Sequence, residues 1–129
     1  MIRKAVEAKD RGDAELPLWG DGSPTREFLY VEDAADGIVT AAEQYDGPEP
    51  VNLGSGREIS VRDLASMVAK MTGFQGKLVW QTDRPNGQPR RALDVSRAKE
   101  YFGWQARMPF EEGMRRTIAW FLEHRSQIK

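Results

Sequence analysis

The stretch PLWGDGSPTREFLYVEDAA (residues 17–35) sets a single arginine, Arg26, between a glycine-rich turn and an aromatic run that ends in two acids. The apolar run 16–19, the turn Gly20-Asp21-Gly22-Ser23-Pro24 and the run 27–31 predict two short strands joined as a hairpin. Glu32 and Asp33 then supply the negative charge favoured in a first helical turn. Ala34, Ile38, Ala41, Ala42 and Tyr45 continue as an apolar stripe at helical spacing. A pattern that changes from alternation to helical periodicity this quickly predicts a mixed α/β fold.

The flanking sequence extends the same reading. Upstream, Ile2, Ala5, Val6 and Lys9 have helical spacing from the first residues. Downstream, Gly47-Pro48 stops the second helix, and 51–53 is a short apolar run leaving through Gly54-Ser55-Gly56, consistent with a buried strand. Ser60 and Asp63 have the spacing of a capping box ahead of Val61, Leu64, Ala65, Val68 and Met71. Residues 78–81 read as a strand, 84–89 as a loop broken by Pro and Gly, and Ser96 as the cap of a short helix. Pro109 suits the first position of a final helix carrying Phe110, Met114, Ile118 and Phe121. The whole is expected to be one domain, 1–129, of short strands, a hairpin and about four helices.

Composition narrows the function classes. The 129 residues carry a formal net charge of -1, which argues against a nucleic-acid groove or a polybasic membrane surface. No apolar run approaches a membrane span, no signal-peptide core is present, and the chain is expected to be cytoplasmic. With no cysteine and a single histidine, His124, neither a thiolate metal site nor a catalytic triad is expected.

Two motifs test for a dinucleotide site. Gly54-Ser55-Gly56 follows an apolar run, but the third glycine of the fingerprint would fall at Ile59, so a turn is the stronger reading. A Tyr-x-x-x-Lys pair is missing, because Ala34, Glu49 and Gln105 stand four residues after the three tyrosines. No bound cofactor and no catalytic residue are therefore expected of this chain alone. Arg26 and the Arg90-Arg91 pair are the remaining chemical candidates, since guanidinium forks match phosphate oxygens, although arginines at loop edges are commonly surface charges. Trp19 and Trp80, at the ends of short strands, are expected in the core.

At LWGDGSPTREFLYVEDAA (18–35), VNLGSGREISVRDLA (51–65) and PNGQPRRALDVSRAKEYFGW (85–104) the chain resembles the carboxy-terminal, substrate-binding part of the extended short-chain dehydrogenase/reductases, the nucleotide-sugar epimerase/dehydratase family. Within it, the resemblance runs nearest to the NADP-dependent epimerase-reductases of GDP-4-keto-6-deoxymannose. It implies a lobe that binds a nucleotide-sugar through Lys4, Trp19, Arg26 and Arg91, with Arg26 on phosphate. Lys4 and Arg91 exchange arginine and lysine relative to the common family pattern, and Tyr30 replaces a frequent histidine. It further implies that the Rossmann half, with its NADP site and catalytic Ser, Tyr and Lys, is absent, which makes a missing Rossmann half a candidate partner. Ile2, Val6, Val51 and Leu53 would then form an exposed apolar surface for homo-oligomers. The alternatives are the corresponding lobe of a UDP-sugar 4-epimerase or a dTDP-glucose 4,6-dehydratase, or a free-standing binding module encoded as a short gene.

Overall fold

A computed structural model describes residues 1–128. Helix α1 (Ile2–Arg11) ends at Gly12, whose left-handed φ of 71° returns its N–H to Lys9 O. The chain enters β1 (Glu15–Trp19), where Leu16 and Leu18 are buried and their neighbours exposed, as strand alternation requires. β2 (Thr25–Glu27) follows, then α2 (Val31–Gln44), β3 (Glu58–Ser60), α3 (Val61–Thr72) and β4 (Lys77–Gln81). A two-residue strand β5 (Arg90–Arg91), α4 (Ser96–Phe102), α5 (Phe110–His124) and a final 3-10 turn complete the described elements.

Two sheets form. β1 and β4 are parallel, from Glu15 opposite Lys77 to Trp19 opposite Gln81. In the other sheet β2 lies centrally, antiparallel to β3 and parallel to β5. The main core joins Ala5 and Ala8 of α1, Leu16 and Leu18 of β1, and Leu64 and Val68 of α3. A second cluster gathers Ala98, Phe102 and Trp104 against α2. Gly37 makes room for it, since a Cβ there would lie 2.8 Å from the Trp104 ring, while Trp104 Nε1 donates to Asp36 Oδ2 at 2.9 Å. α3 has the expected Ser60 cap: Ser60 Oγ accepts from Asp63 N at 3.0 Å, and the Asp63 carboxylate takes the Ser60 hydroxyl, Oγ to Oδ2 at 2.7 Å, rather than the backbone N–H of a full capping box.

The sequence-based picture needs correction at several points. There is no hairpin, because β1 and β2 belong to different sheets: Leu16 and Leu18 are drawn to the apolar core and pair with β4 instead. The expectation that Rossmann architecture is absent also fails. β1 and β4 are parallel neighbours joined by a long crossover that closes with α3 packed on the core, which is Rossmann-type β–α–β topology. Five α-helices form among the described residues rather than about four, the short helix expected at Ser96 running Ser96–Phe102 and ending at left-handed Gly103. Ser96 is its first helical residue rather than its cap: Val95 holds the cap position without a capping side chain, and Asp94 Oδ1, one residue earlier, accepts from Ser96 N at 2.9 Å. Residues 51–53 pair with no strand among the described residues, and Val51 and Leu53 instead pack on the second cluster. Val6 is buried and Ile2 packs on the main core, so these four residues do not compose an exposed apolar surface. Trp19 is 64% exposed rather than in the core.

Candidate phosphate site at the edge of the small sheet

The small sheet is polar and very short, and its register decides where its charges go. Thr25 stands opposite Ser60 and Arg90, while Arg26 stands opposite Ile59 and Arg91. Residues opposite one another project to the same face of a sheet, so Arg26 and Arg91 share one face and Arg90 takes the other. There Arg90 is consumed: its Nε donates to both Glu58 oxygens at 3.0 Å, and Thr25 Oγ1 donates to Glu58 Oε2 at 2.8 Å. These bonds, from Arg90 first and then Thr25, hold the Glu58 carboxyl below its ordinary value and raise the Arg90 guanidinium above its own.

Arg26 and Arg91 are placed differently. Both border a cavity of about 210 Å³ with Glu27, Leu29, Leu53 and Leu93. Arg26 Nη1 donates to Thr25 O at 2.6 Å, which anchors the guanidinium through one of its five donors. A Cβ at Gly87 would lie 3.8 Å from Arg26 Nη2, so the 84–89 loop passes beside the fork. Among the described residues, no carboxylate lies within ion-pair distance of either arginine. Two uncompensated forks on one face of a sheet edge can engage an anion with two or more oxygens, as a diphosphate has.

Of the four sequence-predicted site residues, the fold brings these two together. Lys4 is exposed on α1 and borders neither cavity; its neighbour Arg3 borders the larger one. Trp19 is exposed at the end of β1, with the Arg84 guanidinium 5.8 Å from its ring centroid. The larger cavity, about 600 Å³, lies between α1 and α5 and is lined by Phe28, Phe110, Met114 and Phe121 among others. No group of three or more His, Asp or Glu side chains suited to a metal ion occurs among the described residues.

Sequence reasoning missed Glu27. Its Oε2 accepts from Leu93 N at 2.9 Å and its Oε1 from Gly56 N at 3.1 Å, tying two distant loops to β2. The signal was the glycine pair: a Cβ at Gly54 would lie 2.1 Å from Glu27 Oε1, so only glycine admits the carboxylate. The Gly54-Ser55-Gly56 turn therefore does not fit a dinucleotide pyrophosphate. Its Gly56 N–H is already satisfied by an anionic side chain, and α3 begins only at Val61.

A parallel β–α–β core beside an arginine-edged sheet defines an α/β protein with a candidate anion site. The sequence profile of the GDP-mannose 4,6 dehydratase family matches residues 1–117, and the chain belongs to that family, within the extended short-chain dehydrogenase/reductases. It is closely related to the GDP-L-fucose synthases: the probable GDP-L-fucose synthase 1 of Oryza sativa is 44% identical over 124 residues, covering 96% of this chain. Among solved structures, a GDP-L-fucose synthetase from Naegleria fowleri superposes with a TM-score of 0.91 at 26% identity, covering 99% of this chain and 39% of that one. Its NADP-bound form gives 0.86 at 27% identity, covering 97% and 39%. The chain spans 38% of the length of the rice relative. Among the described residues, no helix is long and apolar enough to cross a membrane.

Proposed function

We propose that this chain is a single domain forming the carboxy-terminal, nucleotide-sugar-binding part of an NADP-dependent epimerase-reductase of the GDP-L-fucose synthase type. The observation that carries this reading is the parallel register of β2 and β5, which sets Arg26 beside Arg91 without a carboxylate partner among the described residues. In this reading the two forks hold the diphosphate, each adding charge-assisted hydrogen bonds, and so orient the sugar for chemistry carried out by residues beyond this chain. Trp19 offers an exposed indole at the same end of β1 as the 20–24 turn, suited to stacking. Lys4, on the outer face of α1, adds only long-range positive charge.

Calorimetry with GDP-mannose, GDP-fucose, UDP-glucose and dTDP-glucose tests the proposal. GDP-sugars are expected to bind most tightly, and Arg26→Ala should cost about 1.5–3 kcal/mol of that binding, the range for a hydrogen bond to a charged group. Arg26→Lys should recover only part, because an ammonium lacks the fork. Equal affinity for all four ligands, or no effect of Arg26→Ala in a folded protein, would overturn the reading.

A further inference from the structure

A carboxylate bordering an anion site is an electrostatic liability, because it repels the ligand the arginines attract. Glu27 is such a group: it follows Arg26 in β2 and, although strand alternation starts its side chain on the opposite face, it borders the same cavity as Arg26 and Arg91. Yet it meets neither guanidinium within ion-pair distance. Its two oxygens are turned onto the backbone N–H groups of Leu93 and Gly56, and Gly54 is excavated to let it in. Leu93 is two residues past Arg91, and β5 has only two residues of ladder to hold it. Upstream, β5 is fixed by Arg90 on Glu58 and by Thr25 N donating to Pro89 O at 2.9 Å. Downstream, Leu93 N donates to Glu27 Oε2, the side-chain bond nearest to Arg91, and Asn52 Nδ2 donates to Asp94 O at 3.1 Å one residue further on.

We infer that Glu27 is a positioning residue: its carboxylate bridges the Leu93 and Gly56 amides, thereby holding Arg91 beside Arg26 and directing its own charge away from the anion they bind. The inference rests on the phosphate-site reading of the Arg26–Arg91 pair. It reverses the sign that simple electrostatics gives. Neutralising an acid beside an anion site should tighten binding, whereas loosening a clasp should weaken it.

Glu27→Gln presents one acceptor oxygen and places an amide N–H₂ against the second backbone donor, so one bond is lost. Glu27→Asp keeps the charge but withdraws it by one methylene. Both are expected to weaken GDP binding about tenfold, the equivalent of one charged hydrogen bond. Both should speed hydrogen exchange at the Leu93 or Gly56 amide, read by NMR without ligand. In an Arg91→Ala background, Glu27→Gln should have little further effect on GDP affinity, which a generally destabilising substitution would not produce. Unchanged or tighter GDP binding in folded Glu27→Gln, or an effect that persists undiminished without Arg91, overturns the inference while leaving the Arg26 result standing. Failure of the wild-type chain to bind GDP overturns the phosphate-site reading and this inference together, and if Glu27→Gln does not fold, Glu27→Asp gives the same readouts.

Discussion

In the β1–β4 pair, a ladder of five parallel residue pairs lies on α1 and α3, and its inward side chains are Leu16 and Leu18 with Leu78 and Trp80 opposite them. In the β3–β2–β5 sheet, the ladders are three and two pairs long, and the side chains that matter are Thr25, Arg26, Glu27, Glu58, Arg90 and Arg91. The first region is held by burial, which is non-directional and tolerates small shifts. The second is held by hydrogen bonds from charged groups to specific atoms, which tolerate none. An edge built in the second way can leave an exposed arginine, Arg91, and a half-buried one, Arg26, without carboxylate partners among the described residues, because order comes from clasps elsewhere in the sheet.

Substitutions in the two regions should therefore fail differently. The largest effect is expected in the core: Leu18→Ala removes a side chain only 6% exposed and should cost about 2–5 kcal/mol of stability. Chemical denaturation measures this, and nucleotide affinity of the remaining folded protein should be unchanged. Gly54→Ala should be milder for stability, about 1–3 kcal/mol, because the added Cβ displaces the Glu27 carboxylate rather than emptying the core. It should nonetheless reduce GDP affinity, which Leu18→Ala should not. Equal binding losses from the two variants would dissolve the distinction between the regions.

Ser60 sits where the regions meet, as the last residue of β3 and the cap of α3. Ser60→Ala should cost about 1 kcal/mol, the usual loss for a cap. Native-state hydrogen exchange then shows how the two sheets share it. If protection falls by the same factor at Leu16 and at Arg26, they unfold as one unit; if only the small sheet loosens, it opens locally.

The same contrast explains what could be read from sequence. Leu16, Leu18, Leu64 and Val68 declare themselves by periodicity, and the Ser60–Asp63 cap by its spacing, so α1, β1, α3 and β4 were legible nearly to their ends. The forks of Arg26 and Arg90-Arg91 could be expected to converge on one diphosphate, and the resemblance singled out Arg26 and Arg91, but no pattern indicated the strand register that sets these two side by side. β3 and β5 carry no alternation of apolar residues, and a strand of two arginines looks like loop until its partner is known. The hairpin was misread for a related reason: the 20–24 turn supplies turn chemistry, but whether its flanking strands pair depends on β4, nearly sixty residues away. Burial of Leu16 and Leu18 decided that question. Glu27 was invisible because its partners are backbone amides, which every residue but proline possesses.

The smallest effect should come from acid. Glu58 holds Arg90 and Thr25 on the far face of the small sheet, and those bonds keep its carboxyl below the ordinary value of 4.5. A folded-state value below the unfolded one means that the contribution is fully present above about pH 4.5 and is lost as pH falls through the depressed value. Between pH 7 and 5 the small sheet should therefore be unchanged. Below that range, the Thr25 amide, which donates to Pro89 O, should lose exchange protection before the amides of the β1–β4 ladder do, because Arg90 is then no longer held by Glu58 and β5 keeps only its short ladder and the bonds past its downstream end. Arg90→Ala should abolish this difference by imposing the loosened state at every pH. Loss of Thr25 protection already at pH 6 would mean that another group governs β5, and simultaneous loss in both sheets would mean that the clasps and the core form one cooperative unit.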